Sequence, residues 1–321
     1  MDVARFCRQT NVVIVVGKGG VGKTTVAAAL ALAGARAGLD VLVAALDDSG
    51  PLPALFGRGD PFGYEEVVLL DATAGGAGGR VRGRVLTSDA ALLEYLASHG
   101  LGRVARRLVQ TGALDVVATA IPGIREVLVL GKLKQLERAA HADLLLLDAP
   151  ATGHAMTFLT SSSGLVDAAR GGPLRAQAEQ VVELLADRSR CQVLLVTVPE
   201  ETPVNEAIEA AYRLEDEVGT ALGPVVVNGC YPVRERLDVD PRHAAAAAGV
   251  PPPPDGDLER LRAAADFRRA RQELQRAQLE RLGRHLPLPQ IVLPYLFSAG
   301  VGPAELPALA EALERGIERL P

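Results

Sequence analysis

The sequence predicts an α/β fold, with a doubly wound, mostly parallel sheet flanked by helices and a helical subdomain. Short β-rich apolar runs, such as residues 11–16 and 143–147, have the composition of buried parallel strands. They alternate with longer Ala- and Leu-rich stretches that have the length of helices. The chain has 321 residues, 48% of them hydrophobic, so it can bury one large core as a single domain.

The first strand leads into a glycine-rich loop. Residues 17–25 read GKGGVGKTT, which fits G-x-x-x-x-G-K-[ST] with Gly17, Gly22, Lys23 and Thr24 at the fixed positions. A helix predicted over residues 24–37 points its positive N-terminal end at the loop. A chance glycine-rich turn would not need strand, loop and helix in register. The motif therefore predicts a P-loop NTPase that binds nucleotide phosphates.

Lys18 is a second lysine, directly after the first glycine of the loop. It is either an ordinary solvent-facing lysine or a second cation for the phosphates. The loop resembles the deviant P-loop of the dimeric ATPases related to MinD, ParA, nitrogenase iron protein and the arsenite/tail-anchored-protein ATPases. This resemblance implies that Lys18 reaches across a dimer to the partner's nucleotide.

Composition excludes some other classes. The 34 basic and 39 acidic residues give a net charge of −5, so no nucleic-acid partner is expected. Charges interrupt the N-terminus, so no signal peptide is expected, and the longest apolar stretches fall short of a membrane span. Three scattered cysteines, in no metal-like spacing, are typical of a reduced protein. We therefore expect a cytoplasmic location.

Two acidic residues follow predicted strands. Asp47 comes directly after the strand at 40–46, and Asp148 closes the apolar run 143–147. An apolar run closing on an acid is the Walker B arrangement, in which the carboxylate holds Mg²⁺ directly or through water. Asp47 alone could be a surface turn residue.

Both acids match switches of the arsenite/tail-anchored ATPase family. Asp47 falls where the first switch carries the acid that orients the attacking water, although residues 48–54 depart from the family pattern. Asp148, Thr152, Gly153 and His154 resemble the second switch, in which His154 would be a hydrogen-bonded switch residue rather than a general base.

The late strands supply candidates for the nucleobase. Asn228 ends the strand predicted over 223–227, and its amide offers a donor and an acceptor that match the adenine edge. Asn228 as a plain turn former is the alternative. By the same resemblance, Pro294 and Tyr295, after a strand at 291–293, flank the adenine.

The remaining pattern completes the layout. The runs 65–71 and 80–86 predict a hairpin or sheet edge, and residues 89–140 predict a helical insertion. A Pro122-Gly123 turn should open an apolar helix, and 161–164 (SSSG) predicts a polar break. Residues 244–254 predict a stiff Pro-rich linker before a long charged helix over 255–284.

From residue 12 to about 310, the chain resembles a short, single-domain bacterial member of the ArsA-type ATPases. The resemblance implies a Mg²⁺-dependent ATP hydrolase acting as a homodimer, or as a heterodimer with a paralogue, for an unidentified protein client or membrane partner. The roles it implies are phosphate binding by Gly17, Gly19, Gly20, Val21, Gly22 and Lys23, Mg²⁺ binding by Thr24 and Asp148, α-phosphate contact by Thr25, catalysis by Lys18, Lys23 and Asp47, and adenine contact by Asn228, Pro294 and Tyr295.

Two other functions stay open at this level. One is a MinD/ParA-type positioning ATPase, and the other is a non-hydrolysing ATP-binding scaffold in a paralogous heterodimer. No Cys-x-x-Cys follows Asn228, and the chain has two methionines and three dispersed cysteines. The sequence therefore predicts neither a bridging zinc, nor a Met-rich groove, nor an arsenite site.

Overall fold

A single sheet organises the computed structural model, which describes residues 1–46, 48–73, 78–98, 100–103, 105, 107 and 123–321. Asp47 and Pro122, both used above, lie outside these residues. The strands of the described part are β1 (Val12–Gly17), β2 (Asp40–Leu46), β3 (Val67–Asp71), β4 (Arg80–Leu86), β5 (Leu144–Ala151), β6 (Cys191–Thr197), β7 (Ala221–Leu222), β8 (Val225–Cys230) and β9 (Gln290–Pro294).

The strand order is β3-β4-β2-β5-β1-β6-β8-β9, with β7 paired to β6. All these pairings are parallel except that of β3 with β4, which is antiparallel and forms one edge. The predicted mostly parallel sheet is confirmed, and so is the edge pair at 65–71 and 80–86.

Strand β1 shows why the sheet is doubly wound. All six of its residues are buried. Val13 and Val15 pack into one apolar cluster, while Ile14 and Val16 pack into another. Successive side chains of a strand point to opposite faces, so a strand that is apolar throughout needs helices on both sides.

Helices supply both layers. Helices α2 and α11 cover the face with Val13 and Val15, and α5 to α8 cover the other face. The α-helices of the described part are α1 (Val3–Arg8), α2 (Lys23–Arg36), α3 (Leu52–Leu55), α4 (Ser88–Ser98), α5 (Ile124–Arg138), α6 (Thr152–Ala168), α7 (Pro173–Ala186), α8 (Glu201–Arg213), α9 (Pro241–Ala247), α10 (Asp255–His285) and α11 (Leu306–Glu318). A π-helical segment, Leu214–Val218, extends α8.

The predicted polar break at residues 161–164 is wrong, because α6 runs through it without interruption. The hydroxyl of Ser161 donates to the carbonyl of Phe158 at 2.7 Å, and that of Thr160 donates to Met156 at 2.8 Å. Hydroxyls bonded to the preceding turn leave the helical backbone bonds intact.

Two other boundaries differ from expectation. Residues 244–248 belong largely to helix α9 rather than to a linker, because the Asp240 carboxylate caps that helix by accepting from the Arg242 amide at 2.8 Å. In the predicted helical insertion, α5 packs its apolar side chains with those of the sheet strands. This part of the segment is therefore part of the main core.

Helix α5 begins at Ile124 after Gly123, as the predicted turn requires. In the described part of the chain, no helix is both long and apolar enough to cross a membrane.

We predict that Leu146→Ala, at the centre of β5, lowers the free energy of unfolding by about 2–5 kcal/mol, because it leaves a cavity in a fully buried site. Urea unfolding followed by circular dichroism measures this. The matched control is Leu274→Ala on α10, where the side chain is 42% exposed and the change should stay within about 0.5 kcal/mol. Equal losses in the two variants would contradict the assigned core.

Candidate nucleotide-binding site

Five strands bring the predicted residues to one edge of the sheet. Strands β5, β1, β6, β8 and β9 are neighbours in this order and run parallel, so their carboxyl ends meet. In an open parallel sheet this edge is where ligands bind. Gly17 ends β1, Val15 lies opposite Asp148 in the register, and Asn228 lies near the end of β8.

Gly22 and Asn228 lock the glycine-rich loop. Gly22 caps α2 with φ of +89°, a conformation that side chains rarely adopt. A Cβ at this position would lie 2.4 Å from Asn228 Nδ2, and that amide donates to the carbonyl of Val21 at 2.9 Å. Asn228 therefore holds the loop open for an anion, a role that the sequence did not predict. Its predicted contact with adenine stays a prediction.

Lys23 places a partly buried cation inside this loop. Its ammonium donates to the carbonyl of Lys18 at 3.2 Å. Burial lowers the pKa of Lys23, and the nearby carboxylate of Asp148 opposes that shift. Because a desolvated cation gains from an anionic partner, the geometry suits a phosphate group at this position.

Thr24 and Asp148 form the centre of the site. The Thr24 hydroxyl donates to Asp148 Oδ2 at 2.5 Å. Asp148 Oδ1 is buried and has no hydrogen-bond partner among the described residues. Burial raises the pKa of Asp148, opposed by the hydrogen bond from Thr24 and the charge of Lys23. A buried carboxylate oxygen without a partner is suited to coordinating a cation.

This donor set fits Mg²⁺. Hydroxyl and carboxylate oxygens are hard ligands, and Mg²⁺ is usually held by one or two protein oxygens together with phosphates and water. The described residues contain no cluster of three or more His, Cys, Asp and Glu side chains that could cage a metal alone. Thr24 and Asp148 would therefore hold the ion jointly with a bound nucleotide.

A cavity of about 590 Å³ opens beside Thr24 and Asp148. His154 lies exposed in the first turn of α6 and lines this cavity. The other polar residues that line it are Asp48, Ser49, Ser88, Arg125, Glu126 and Thr157.

A second cavity, of about 450 Å³, lies on the other side of the loop and gathers the predicted base-side residues. The Tyr295 ring is packed by Tyr231 at 4.8 Å and Phe297 at 4.9 Å between ring centroids. An aromatic ring fixed in this way can present its face to a planar base. The predicted residues in this cavity are Gly20, Val21, Thr25, Asn228, Pro294 and Tyr295.

Sequence reasoning missed two residues of this second cavity. Glu200 and Arg271 both line it, and they form an ion pair at 2.7 Å. Glu200 could have been found, because it follows β6 at the same sheet edge as Asn228. Arg271 lies within the long charged helix α10, and the sequence of that helix does not distinguish Arg271 from the arginines that face solvent.

The Lys18 side chain contacts α8 rather than the other residues of the glycine-rich loop. Its ammonium pairs with Glu206 of α8 at 2.6 Å, and both side chains are a little over one-third exposed. Lys18 and Gly19 line a third cavity, of about 460 Å³, against the start of α8.

Residues 12–295 match the family described as "CobQ/CobB/MinD/ParA nucleotide binding domain". The chain belongs to this family. The predicted P-loop class is confirmed by this match, and the protein is an ATPase of that class.

Among its relatives in this family, the "ATPase BagA" of Mycobacterium tuberculosis is 32% identical over 318 residues, covering 94% of this chain and 91% of the relative. The "Arsenical pump-driving ATPase" of Escherichia coli is 28% identical over 216 residues, covering 67% of this chain and 33% of the relative.

We predict that Asn228→Ala weakens ATP binding by about 2–10-fold, because one buried hydrogen bond that holds the loop is lost. Isothermal titration calorimetry with ATP measures this. Asn205→Ala, an exposed position on α8, is the matched control and should leave the affinity unchanged. If Asn228→Ala bound ATP as tightly as the control, the locking role would be wrong.

Proposed function

We propose that this ATPase hydrolyses Mg²⁺-ATP as a nucleotide-switched dimer and couples turnover to a protein client or membrane partner. The observation that carries the proposal is the Thr24–Asp148 pair, whose buried Oδ1 lacks a partner beside the Lys23 ammonium. A cation site next to a phosphate cradle is the arrangement that phosphoryl transfer requires.

The residues divide the work by position. Backbone amides from Gly19 to Lys23 and the Lys23 ammonium bind the β- and γ-phosphates, and Thr25 contacts the α-phosphate. Thr24 and Asp148 would hold Mg²⁺ together with the phosphates, and the ion would neutralise charge on the transferred group.

The base and the attacking water are assigned to other residues. Asn228, Pro294 and Tyr295 bind adenine in the 450 Å³ cavity that they line. Asp47 orients water for attack, an assignment that rests on the sequence because this residue is outside the described part of the chain.

The dimer proposal rests on Lys18. The side chain is partly exposed and directed to α8, and a half-exposed ion pair contributes about 0–1 kcal/mol. Such a weak contact leaves the ammonium free to exchange Glu206 for a phosphate of a second protomer. In the transition state a cation at that position stabilises the developing charge.

Coupling to a client is supported by the name of one relative. The Escherichia coli protein is called an arsenical pump-driving ATPase, a name that joins ATP turnover to another protein. For this chain we likewise propose that ATP turnover is coupled to a second protein, which we do not identify.

Lys23→Ala should weaken ATP affinity by roughly 10–100-fold and abolish turnover, because a charge-assisted contact to phosphate is lost. Calorimetry and steady-state phosphate release check this. The exposed Arg315→Ala on α11 serves as control and should retain both. Unchanged ATP binding in Lys23→Ala would overturn the proposed phosphate site.

Mixing two inactive variants tests whether Lys18 acts across a dimer. Lys18→Met and Asp47→Asn should each bind ATP and each lose at least about 10²-fold in turnover. In a mixed dimer, the site of the Lys18→Met protomer keeps its own Asp47 and receives Lys18 from its partner. Equimolar mixing should therefore restore phosphate release, whereas Lys18 acting within its own chain would leave the mixture as inactive as its parts.

A further inference from the structure

A cavity of about 360 Å³ lies between α4, α5 and α7. It shares no lining residue with the three cavities around the glycine-rich loop. Its polar lining is dominated by basic and amide side chains, so its chemistry needs an explanation separate from ATP hydrolysis.

Lys134 is the deepest polar group of this cavity. The residue is 6% exposed. Its ammonium donates to Gln177 Oε1 at 3.0 Å and to Gln180 Oε1 at 2.7 Å. Both acceptors are neutral, and within the described residues no carboxylate pairs with Lys134. Burial lowers the pKa of Lys134, and the charges of Arg138 and Arg190 act in the same direction while Glu183 opposes them.

A buried cation without a counter-charge is costly. An ammonium also has three donors, and the two glutamines use two of them. Among the described residues, no group therefore pairs with the charge of Lys134 or with its third donor.

Gly131 makes room for the contact between Gln177 and Lys134. This glycine lies inside α5, where glycine costs about 1 kcal/mol relative to alanine. A Cβ there would lie 1.7 Å from Gln177 Nε2. The missing side chain lets Gln177 lie directly against α5 and turn its oxygen to Lys134.

The rim adds more positive charge. Lys132 pairs with Glu94 of α4 and also donates to Gln135, while the exposed Arg138 lines the cavity one turn after Lys134. The lining thus contains three cations and one carboxylate. Tyr95 also lines the cavity, and an apolar part of the wall is formed by Ala91, Leu128, Pro173 and Ala176.

We propose that this cavity binds a small organic molecule through a phosphate or carboxylate group, with Lys134 as the buried anchor. The oxyanion accepts from the third Lys134 donor and meets Arg138 at the rim. The carbon part of the ligand packs on Leu128 and its apolar neighbours, away from the nucleotide.

Calorimetric titration with phenyl phosphate and with benzoate tests this proposal. The full chain carries Lys23→Ala in every sample, so that the glycine-rich loop does not compete for the phosphate probe. We expect saturable binding of at least one probe, and the probe that binds identifies the oxyanion. Adding Lys134→Met should weaken that binding by at least about 10-fold, because a charge-assisted hydrogen bond is lost.

Two further variants keep the outcome clear. Arg138→Gln changes an exposed residue, should not affect folding, and should also weaken the probe. Arg315→Met, an exposed cation on α11, should leave probe binding unchanged. The proposal is overturned if neither probe binds saturably, or if binding survives both Lys134→Met and Arg138→Gln. Because the loop is weakened in every sample and ATP is not the probe, failure here leaves the proposed ATPase mechanism untouched.

Discussion

The hydrogen bond between Thr24 and Asp148 joins the two halves of the site, and the rest of the arrangement depends on it. Thr24 is the second residue of α2, whereas Asp148 lies in β5. They meet because β5 pairs in parallel with β1 and Asp148 lies opposite Val15, close to where the loop leaves β1. A shift of one residue in that register would turn Asp148 to the other face of the sheet.

The same constraint explains how far the sequence could predict the site. Apolar runs that end in Asp148 or Asn228 indicate strands, and parallel strands bring their ends together without any knowledge of side-chain contacts. The role of Asn228 in holding Val21 was not predictable in this way, because it depends on how close Gly22 lies to the neighbouring strand end. The pair formed by Arg271 and Glu200 joins residues 71 positions apart and has no local signal.

The errors in the fold have a shared cause. Residues 161–164 have the composition of a break, but the Ser161 hydroxyl donates to the carbonyl of Phe158 inside the helix, and Ser162 is buried. Residues 244–248 precede a proline run, yet the capping carboxylate of Asp240 starts a helix ahead of it. In both places a side-chain hydrogen bond decided the local structure against its average propensity, which a single sequence does not show.

Helix α5 connects the cavity beside Asp148 with the cavity of the proposed oxyanion. Arg125 and Glu126 at its start line the cavity beside Asp148, and Lys134 and Arg138 near its end line the cavity of the proposed oxyanion. At 1.5 Å per residue, Arg125 and Arg138 lie about 20 Å apart along one continuous helix. Nucleotide binding that shifts α5 between two positions would couple the two sites if the oxyanion contacts α5 more strongly in one position than in the other. The oxyanion would then change ATP affinity by the same factor by which ATP changes oxyanion affinity. Lys134, which pairs with no carboxylate among the described residues, makes that contact sensitive to position, because a charge-assisted hydrogen bond depends steeply on geometry.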